Sequence, residues 1–270
     1  MEFSDEYFGS TAQQNVSRRA RDLWRLLPDD PHLTYNGRIM ATVGYNDKDT
    51  SEKAMLLSRL QGATTCHFLP KDKTQTLQEA AKAAGLSTNI WEFCQGGRSA
   101  YDAALKILET HKLPKDITIS QLTVADDAAR IKEFASMTAD CGVLAMAGRV
   151  IRGLDVTGIT LAGVDEAGEM VGSAWGYKCY HADSEFSDFA FWGGLSCRPD
   201  RRGEKIALIL GAHSIVELWE KLGVRGFCTG ITPTNLSSMS LCEKLGIHQS
   251  DHIALGVIDP ATFGEGTLTK

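Results

Sequence analysis

Apolar residues in the first 110 positions occur in short blocks that alternate with segments of helical spacing. The blocks typical of strands are residues 39–45, 64–69 and 90–93. The segments with apolar residues at every third or fourth position are about 17–27, 50–60, 76–84 and 99–110. This alternation predicts an α/β domain over residues 1–115. It ends at a polar, proline-containing link, residues 111–115.

The pattern beyond that link predicts a mixed sheet with helices on its faces. The predicted strands are residues 117–121, 158–165, 170–180, 189–197, 224–229 and 253–258. The predicted helices are residues 126–137, 206–222 and 235–245. Gly246 closes the last helix as a glycine cap. We therefore predict two domains, 1–115 and 116–270, and expect the second to form independently.

Composition and charge exclude several classes of protein. The formal net charge is −6, and residues 116–270 hold 13 basic against 20 acidic side chains, so a nucleic-acid partner is not expected. The acidic excess is compatible with a cationic amine substrate or with an ordinary solvated surface. No run of eighteen apolar residues or targeting segment occurs, so we expect a cytoplasmic protein without a membrane partner. Seven singly spaced cysteines predict free thiols and no metal site.

The stretch from residue 195 to residue 207 carries the chemistry, because a strand leads through a polar turn into an apolar helix. Backbone N–H groups at a helix start have no acceptor in the helix, so they can hold a pyrophosphate, and two arginines add positive charge. The alternative is a helix that merely follows a basic turn. The cofactor-binding candidates here are Leu195, Cys197, Arg201, Arg202, Gly203, Glu204, Lys205, Ile206 and Ala207.

This stretch resembles the coenzyme A loop of the GNAT superfamily of acyl-CoA-dependent N-acyltransferases. Pro199, Arg202 and Ala207 match its x-Pro-x-x and Arg-x-x-Gly-x-Gly/Ala pattern, whereas Lys205 stands where the family has its first loop glycine. Residues 235–247 resemble a second family motif, Asn-x-x-Ser/Ala-x-x-Leu-Tyr-Glu-Lys-Leu-Gly-Phe. That motif adds Asn235 and Ser238 to the cofactor-binding candidates.

The resemblance implies direct transfer of an acyl group, by default acetyl from acetyl-CoA, to the amine of a small molecule. It implies that a backbone N–H near the end of the central strand, here that of Cys197, stabilises the oxyanion. Cys242 occupies the position of the family's usual tyrosine acid, so it is either a weak acid or a packed core residue. Glu185, Asp188 and His181 precede the central strand and are the candidate bases.

Two alternatives remain open at the level of sequence. The chain is either an active acyltransferase or a catalytically inactive acyl-CoA-binding or regulatory module, since the usual tyrosine and loop glycine are missing. Residues 1–115 are either a domain that grips the substrate or a degenerate copy of the same fold. The acceptor is not indicated, and a homo-oligomer is left open.

Overall fold

The computed structural model describes residues 6–263, and ten strands in this part of the chain form one sheet. The strands are β1 (Leu33–Tyr35), β2 (Met40–Val43), β3 (Ala63–Pro70), β4 (Ser87–Gly96), β5 (Ile117–Gln121), β6 (Gly158–Asp165), β7 (Met170–Tyr177), β8 (Phe189–Cys197), β9 (Gly226–Ile231) and β10 (His248–Ile258). Their order in the sheet is β1-β2-β3-β10-β4-β9-β8-β7-β6-β5.

The helices of the described residues cover both faces of this sheet. They are α1 (Thr11–Leu26), α2 (Asp47–Gln61), α3 (Thr74–Ala83), α4 (Arg98–Thr110), α5 (Ala128–Asp140), α6 (Gly148–Ile151), α7 (Ile206–Leu222), α8 (Leu236–Lys244) and α9 (Pro260–Phe263). No helix among residues 6–263 is long and apolar enough to cross a membrane. The mixed α/β sheet predicted from the sequence is confirmed.

The strand order is palindromic about the central β10–β4 pair. On one side β2 and β3 are parallel and joined by α2, and on the other β8 and β9 are parallel and joined by α7. α3 then leads from β3 to β4, as α8 leads from β9 to β10. However, β4 pairs with β9 and β10 pairs with β3, so each half of the chain places its last strand in the sheet of the other half.

Because of this strand exchange, the link at residues 111–115 does not separate two sheets. The link does lie between two elements, α4 and β5, as the sequence predicts. Yet the sheet continues across the two halves, and β10 has both of its neighbours, β3 and β4, in the first half. The last strand of residues 116–270 therefore has no strand partner within that range.

The core lies in layers on both faces of the sheet. On one face α4 and α7 pack over the sheet of the second half, around the fully buried Trp192 and Phe227. The Trp192 indole N–H donates to Ser214 Oγ at 2.8 Å, so the large ring is buried without an unpaired polar atom. On the opposite face α1, α5 and α6 cover Tyr35 and Trp175. These layers hold β8 and β9 rigidly at the centre of the molecule.

Candidate active site

The parallel strands β8 and β9 diverge and leave a cleft between them. They pair only over Phe189–Phe191 and 226–228, at one end of both strands. A cavity of about 140 Å³ opens where they separate. It is lined by residues of both strands and of α8, among them Gly193, Gly194, Leu195, Thr229, Asn235, Ser238 and Cys242. The cavity thus brings together three of the predicted cofactor-binding residues, Leu195, Asn235 and Ser238.

A bulge in β8 shapes this cavity. Ser173 of β7 lies opposite Ser196 and Trp175 lies opposite Gly193, so β8 contains one extra residue between these pairs. Gly194 has a φ of +62°, and a Cβ there would overlap the ring of Trp175. Ser173 Oγ donates to the Gly194 carbonyl at 2.6 Å and fixes the bulge. As a result, Gly194 and Leu195 have no paired residue in the β7 ladder, and both line the cavity.

The turn after β8 leaves a group of unpaired backbone donors. A short 3₁₀ helix, Pro199–Arg201, follows the strand, and α7 begins at Ile206 without a capping side chain. The amide N–H groups of residues 203–208 have no acceptor among the described residues. Successive free N–H groups at the start of a 17-residue helix attract an anion. The turn thus presents six consecutive N–H groups at the start of α7, those of residues 203–208, that are unpaired within the described part of the chain.

The three arginines of this turn differ in how far their charge is neutralised. Arg201 forms paired hydrogen bonds with Asp116, at 2.9 and 3.2 Å, and with Glu204, at 2.8 Å each. Arg198 is held by Asp200 at 2.7 and 2.9 Å and by Glu169 at 3.0 Å. Arg202 is exposed and has no ion pair among residues 6–263. Arg202 is therefore the arginine of the turn whose charge is available, whereas Arg201 and Glu204 neutralise each other.

Lys205, at the position of a glycine in the family motif, adopts a backbone conformation that glycine reaches more easily. Its φ of +63° and ψ of +14° lie in the left-handed region, which costs a residue with a Cβ about 1–2 kcal/mol. Its side chain is exposed at the start of α7 and adds a second cation beside Arg202.

We expect Lys205→Gly to raise the free energy of unfolding by up to about 1 kcal/mol, because glycine removes the left-handed strain. Coenzyme A binding is expected to weaken by roughly tenfold, because a cation beside the phosphates is lost. Chemical denaturation and isothermal titration measure the two effects separately. Tighter binding of coenzyme A by Lys205→Gly would show that the lysine obstructs the loop.

The second motif forms the opposite wall of the cavity. Asn235 caps α8 by accepting the Ser238 N–H at 3.1 Å, so both residues are fixed at the cavity. Cys242 lies on the same helix and is buried, and burial raises the pKa of its thiol to about 12. Cys197 lies outside the cavity lining, with its thiol directed at the Arg201 carbonyl at 3.3 Å, and burial raises the pKa of this thiol to about 11.

The predicted bases lie apart from the cavity. Glu185 and Asp188 are exposed, and neither they nor His181 contribute to the lining. The Asp188 carbonyl instead accepts the N–H groups of Arg225 and Gly226 at the start of the β8–β9 pair, the end opposite to the cleft. These positions do not support a direct role for the two carboxylates in accepting a proton from a substrate.

A second cavity, of about 80 Å³, adjoins the first on the α1 face of the sheet. The two cavities share four lining residues, Arg38, Trp91, Phe191 and Gly230. His67 of β3 also lines the second cavity, and burial, followed by the charge of Arg38, lowers the pKa of this imidazole to about 3. No sequence motif marks Arg38 or His67, because strands distant in sequence bring them together.

No protein-family model matches the chain, and no curated protein matches it in sequence. Solved structures do match. A structural-genomics protein from Drosophila superposes with a TM-score of 0.55 at 13% identity, covering 92% of this chain and 89% of its own. A GCN5-related N-acetyltransferase from Kribbella flavida gives a TM-score of 0.54 at 10% identity, covering 91% and 95%. A tandem GNAT protein from the clavulanic acid biosynthesis pathway gives 0.52 at 14% identity, covering 77% and 67%.

These identities are too low to carry an activity or a substrate from one protein to another, but the superpositions extend over most of this chain and of its neighbours. The chain has the fold of the GNAT N-acetyltransferases.

Proposed function

We propose that the protein is an N-acyltransferase that moves an acetyl group from acetyl-CoA to the amine of a small molecule in a ternary complex. One observation carries the proposal. The free amide N–H groups of residues 203–208 and the unpaired Arg202 lie directly after β8, the strand that forms one wall of the cleft. A phosphate site and a narrow cleft thus lie next to each other, as a nucleotide with a long thioester arm requires.

In this site the loop would hold the pyrophosphate, with Arg202 and Lys205 as charged contacts, and the cleft between β8 and β9 would hold the pantetheine arm. The neutral acceptor amine attacks the thioester carbonyl, the C–N bond forms, and the C–S bond breaks with release of the thiolate. The amine nitrogen gives its proton to water and the thiolate takes one up, so the products are the amide and the free thiol of coenzyme A. We assign stabilisation of the oxyanion to the backbone at Gly194 and Leu195, because these two residues have no paired residue in the β7 ladder and line the cavity. Cys197, the residue favoured by the sequence, lies outside that lining.

Proton transfer to the departing thiolate does not require Cys242 in this proposal. A thiol with a pKa of about 12 is a weaker acid than a free thiol, whose pKa is about 8.5, so transfer from it to a coenzyme thiolate is uphill. Water in the open cleft can supply the proton instead. We therefore assign Cys242 to packing against the cleft.

Cys242→Ala is expected to retain kcat within about tenfold, because the thiol contributes volume and not acidity. Steady-state kinetics with acetyl-CoA measures the effect, and circular dichroism confirms the fold. A loss of kcat beyond about a hundredfold in the folded variant would assign the thiol a role in catalysis.

We propose in addition that residues 1–115 are a degenerate copy of the same fold. The palindromic strand order supports this, since β1, β2, β3 and β4 repeat the order and directions of β7, β8, β9 and β10. The turn from β2 to α2, residues 44–46, has the sequence Gly-Tyr-Asn and lacks the arginine of the second-half loop. The first copy therefore contributes β4 and a wall of the second cavity, and the coenzyme site belongs to the second copy.

Arg202→Ala tests the loop. Loss of one charge-assisted phosphate contact removes about 1.5–3 kcal/mol, so coenzyme A is expected to bind roughly ten- to a hundredfold more weakly in isothermal titration. Pantetheine, which lacks the phosphates, is expected to bind equally well to both proteins. Arg198→Ala is the matched control, because Asp200 and Glu169 neutralise Arg198, and it is expected to change the affinity by less than about threefold.

Equal binding of coenzyme A by Arg202→Ala and the wild type would show that the phosphate loop is misassigned. Turnover separates the enzyme from the alternative of a binding module. Mass spectrometry after incubation with acetyl-CoA and a panel of amines is expected to detect an acetylated product. Coenzyme A binding without any product would favour the inactive module.

A further inference from the structure

The second cavity contains a partly buried cation that has no counter-ion among the side chains that the structure describes. The Arg38 guanidinium donates to the Leu144 carbonyl at 3.1 Å, and no Asp or Glu whose side chain is described in residues 6–263 forms an ion pair with it. Desolvation lowers the pKa of Arg38 to about 10, so the side chain keeps its charge at neutral pH. A partly desolvated guanidinium with one carbonyl partner is stabilised when an anion joins it.

The Asn36 amide presents donors to this cavity. Asn36 Oδ1 accepts the N–H groups of Arg38 and Ile39, at 3.1 and 3.2 Å, which leaves the NH₂ group of the Asn36 amide available to a ligand. Thr65 and His67 contribute a hydroxyl and an imidazole to the lining. No carboxylate belongs to the lining among the described residues. The cavity thus offers a positive charge and N–H groups to a ligand.

A chain of polar contacts holds His67 at the cavity. Its Nδ1 lies 3.0 Å from the Tyr180 hydroxyl, and that hydroxyl lies 3.1 Å from the Cys228 sulfur. Because burial, followed by the charge of Arg38, lowers the pKa of this imidazole to about 3, His67 is neutral at pH 7. His67 therefore adds a fixed, uncharged polar group to the cavity.

Most of the remaining lining is apolar, and four of its side chains are aromatic. Trp91, Phe93, Phe191 and Phe263 surround the polar end, in a space of about 80 Å³ that admits a small molecule. Arg38, Trp91, Phe191 and Gly230 also line the cleft between β8 and β9. A ligand held at Arg38 is therefore next to the position proposed for the thioester.

From this arrangement we propose that the acceptor is an amino acid whose carboxylate binds Arg38, with a short apolar body against the aromatic side chains and its amine directed to the cleft. The inference rests on the proposed acyl transfer and names the substrate class of that site. It replaces the interpretation of the acidic second half as a surface that attracts a purely cationic amine, because the lining of the cavity contains a cation and, among the described residues, no carboxylate. A planar guanidinium binds a carboxylate through two parallel hydrogen bonds.

The test compares amino acids with amines that differ only in the carboxylate. Glycine and methylamine, leucine and isoamylamine, and phenylalanine and phenethylamine form three such pairs, each assayed with acetyl-CoA and the full chain. The wild type is expected to use at least one amino acid about a hundredfold better in kcat/KM than its paired amine. Arg38→Leu is expected to remove that preference, and the ratio of kcat/KM within each pair is independent of any change in coenzyme A affinity.

Two further variants and a second donor complete the experiment. Arg38→Lys keeps the charge without the planar guanidinium and is expected to retain part of the preference. Arg38→Gln removes the charge but keeps a polar side chain, so it separates the effect of charge from that of size. Equal kcat/KM for amino acids and their paired amines in the wild type would overturn the proposal. A preference for succinyl-CoA over acetyl-CoA that disappears in Arg38→Leu would also overturn it, because the carboxylate would then belong to the acyl group.

Binding without coenzyme A keeps this inference separate from the proposed function. Isothermal titration of the same three amino acids into the wild type and Arg38→Leu measures carboxylate recognition alone. Binding that Arg38→Leu abolishes, in a protein that does not bind coenzyme A, would support the carboxylate site and reject the acyltransferase. Coenzyme A binding together with amino-acid affinities that are unchanged in Arg38→Leu would support the coenzyme site and reject the carboxylate site.

Discussion

Residues 116–270 produced alone are expected to remain unfolded. In the full chain β10 lies between β3 and β4, and β4 also covers β9, so the cut removes both neighbours of β10 and one neighbour of β9. The apolar side chains of β10 that pack against the first half, such as Leu255 and Val257, would be exposed to water. Circular dichroism and limited proteolysis are expected to show a chain without cooperative unfolding.

Co-expression of residues 1–115 and 116–270 provides the control. The two pieces are expected to associate into a complex that unfolds cooperatively, because the cut lies in the loop between α4 and β5 and removes no strand. A folded, monomeric 116–270 fragment that binds coenzyme A would show that β10 can pair within its own half. The strand exchange would then be a feature of the full chain only.

Much of the second half could be predicted from the sequence, because its signals are local. The strand predicted at residues 189–197 and the helix predicted at residues 206–222 coincide with β8 and α7. Alternation of apolar residues, a proline turn and a glycine cap determine such elements without distant contacts. The loop between these elements depends on the same local signals.

The strand exchange could not be predicted, because pairing between distant segments leaves no periodicity in the sequence. The alternation of strands and helices in residues 1–115 is the same for an independent domain and for half of a shared sheet. The three-residue strand β1 was also missed, since it is shorter than the blocks used to identify strands. Only the palindromic order of the folded sheet distinguishes the two arrangements.

Some residues of the candidate site could likewise be predicted from local sequence, and others could not. Asn235 and Ser238 belong to a continuous motif and do line the cleft. Arg38 and His67 come from the first half and reach the site through the shared sheet, so no spacing in the sequence connects them with residue 202. The candidate bases Glu185 and Asp188 are close to β8 in sequence, but the strand carries the cleft at its other end.

Among substitutions that add a single methyl group in the cleft, Gly194→Ala is expected to reduce stability and coenzyme A affinity the most. At a φ of +62° alanine is strained by about 1–2 kcal/mol, and its Cβ would also overlap the Trp175 ring, which is buried behind the bulge. We expect the free energy of unfolding to fall by about 3 kcal/mol in all, and coenzyme A affinity to fall by more than about a hundredfold as the bulge shifts.

Gly168→Ala is the matched control, since Gly168 has a φ of +84° and open space around its Cβ position in the turn between β6 and β7. That variant is expected to lose about 1 kcal/mol and no coenzyme affinity, so the difference between the two measures the clash in the cleft. Chemical denaturation and isothermal titration supply both quantities, and a Gly194→Ala protein that matches Gly168→Ala in both would show that the bulge does not shape the acyl site.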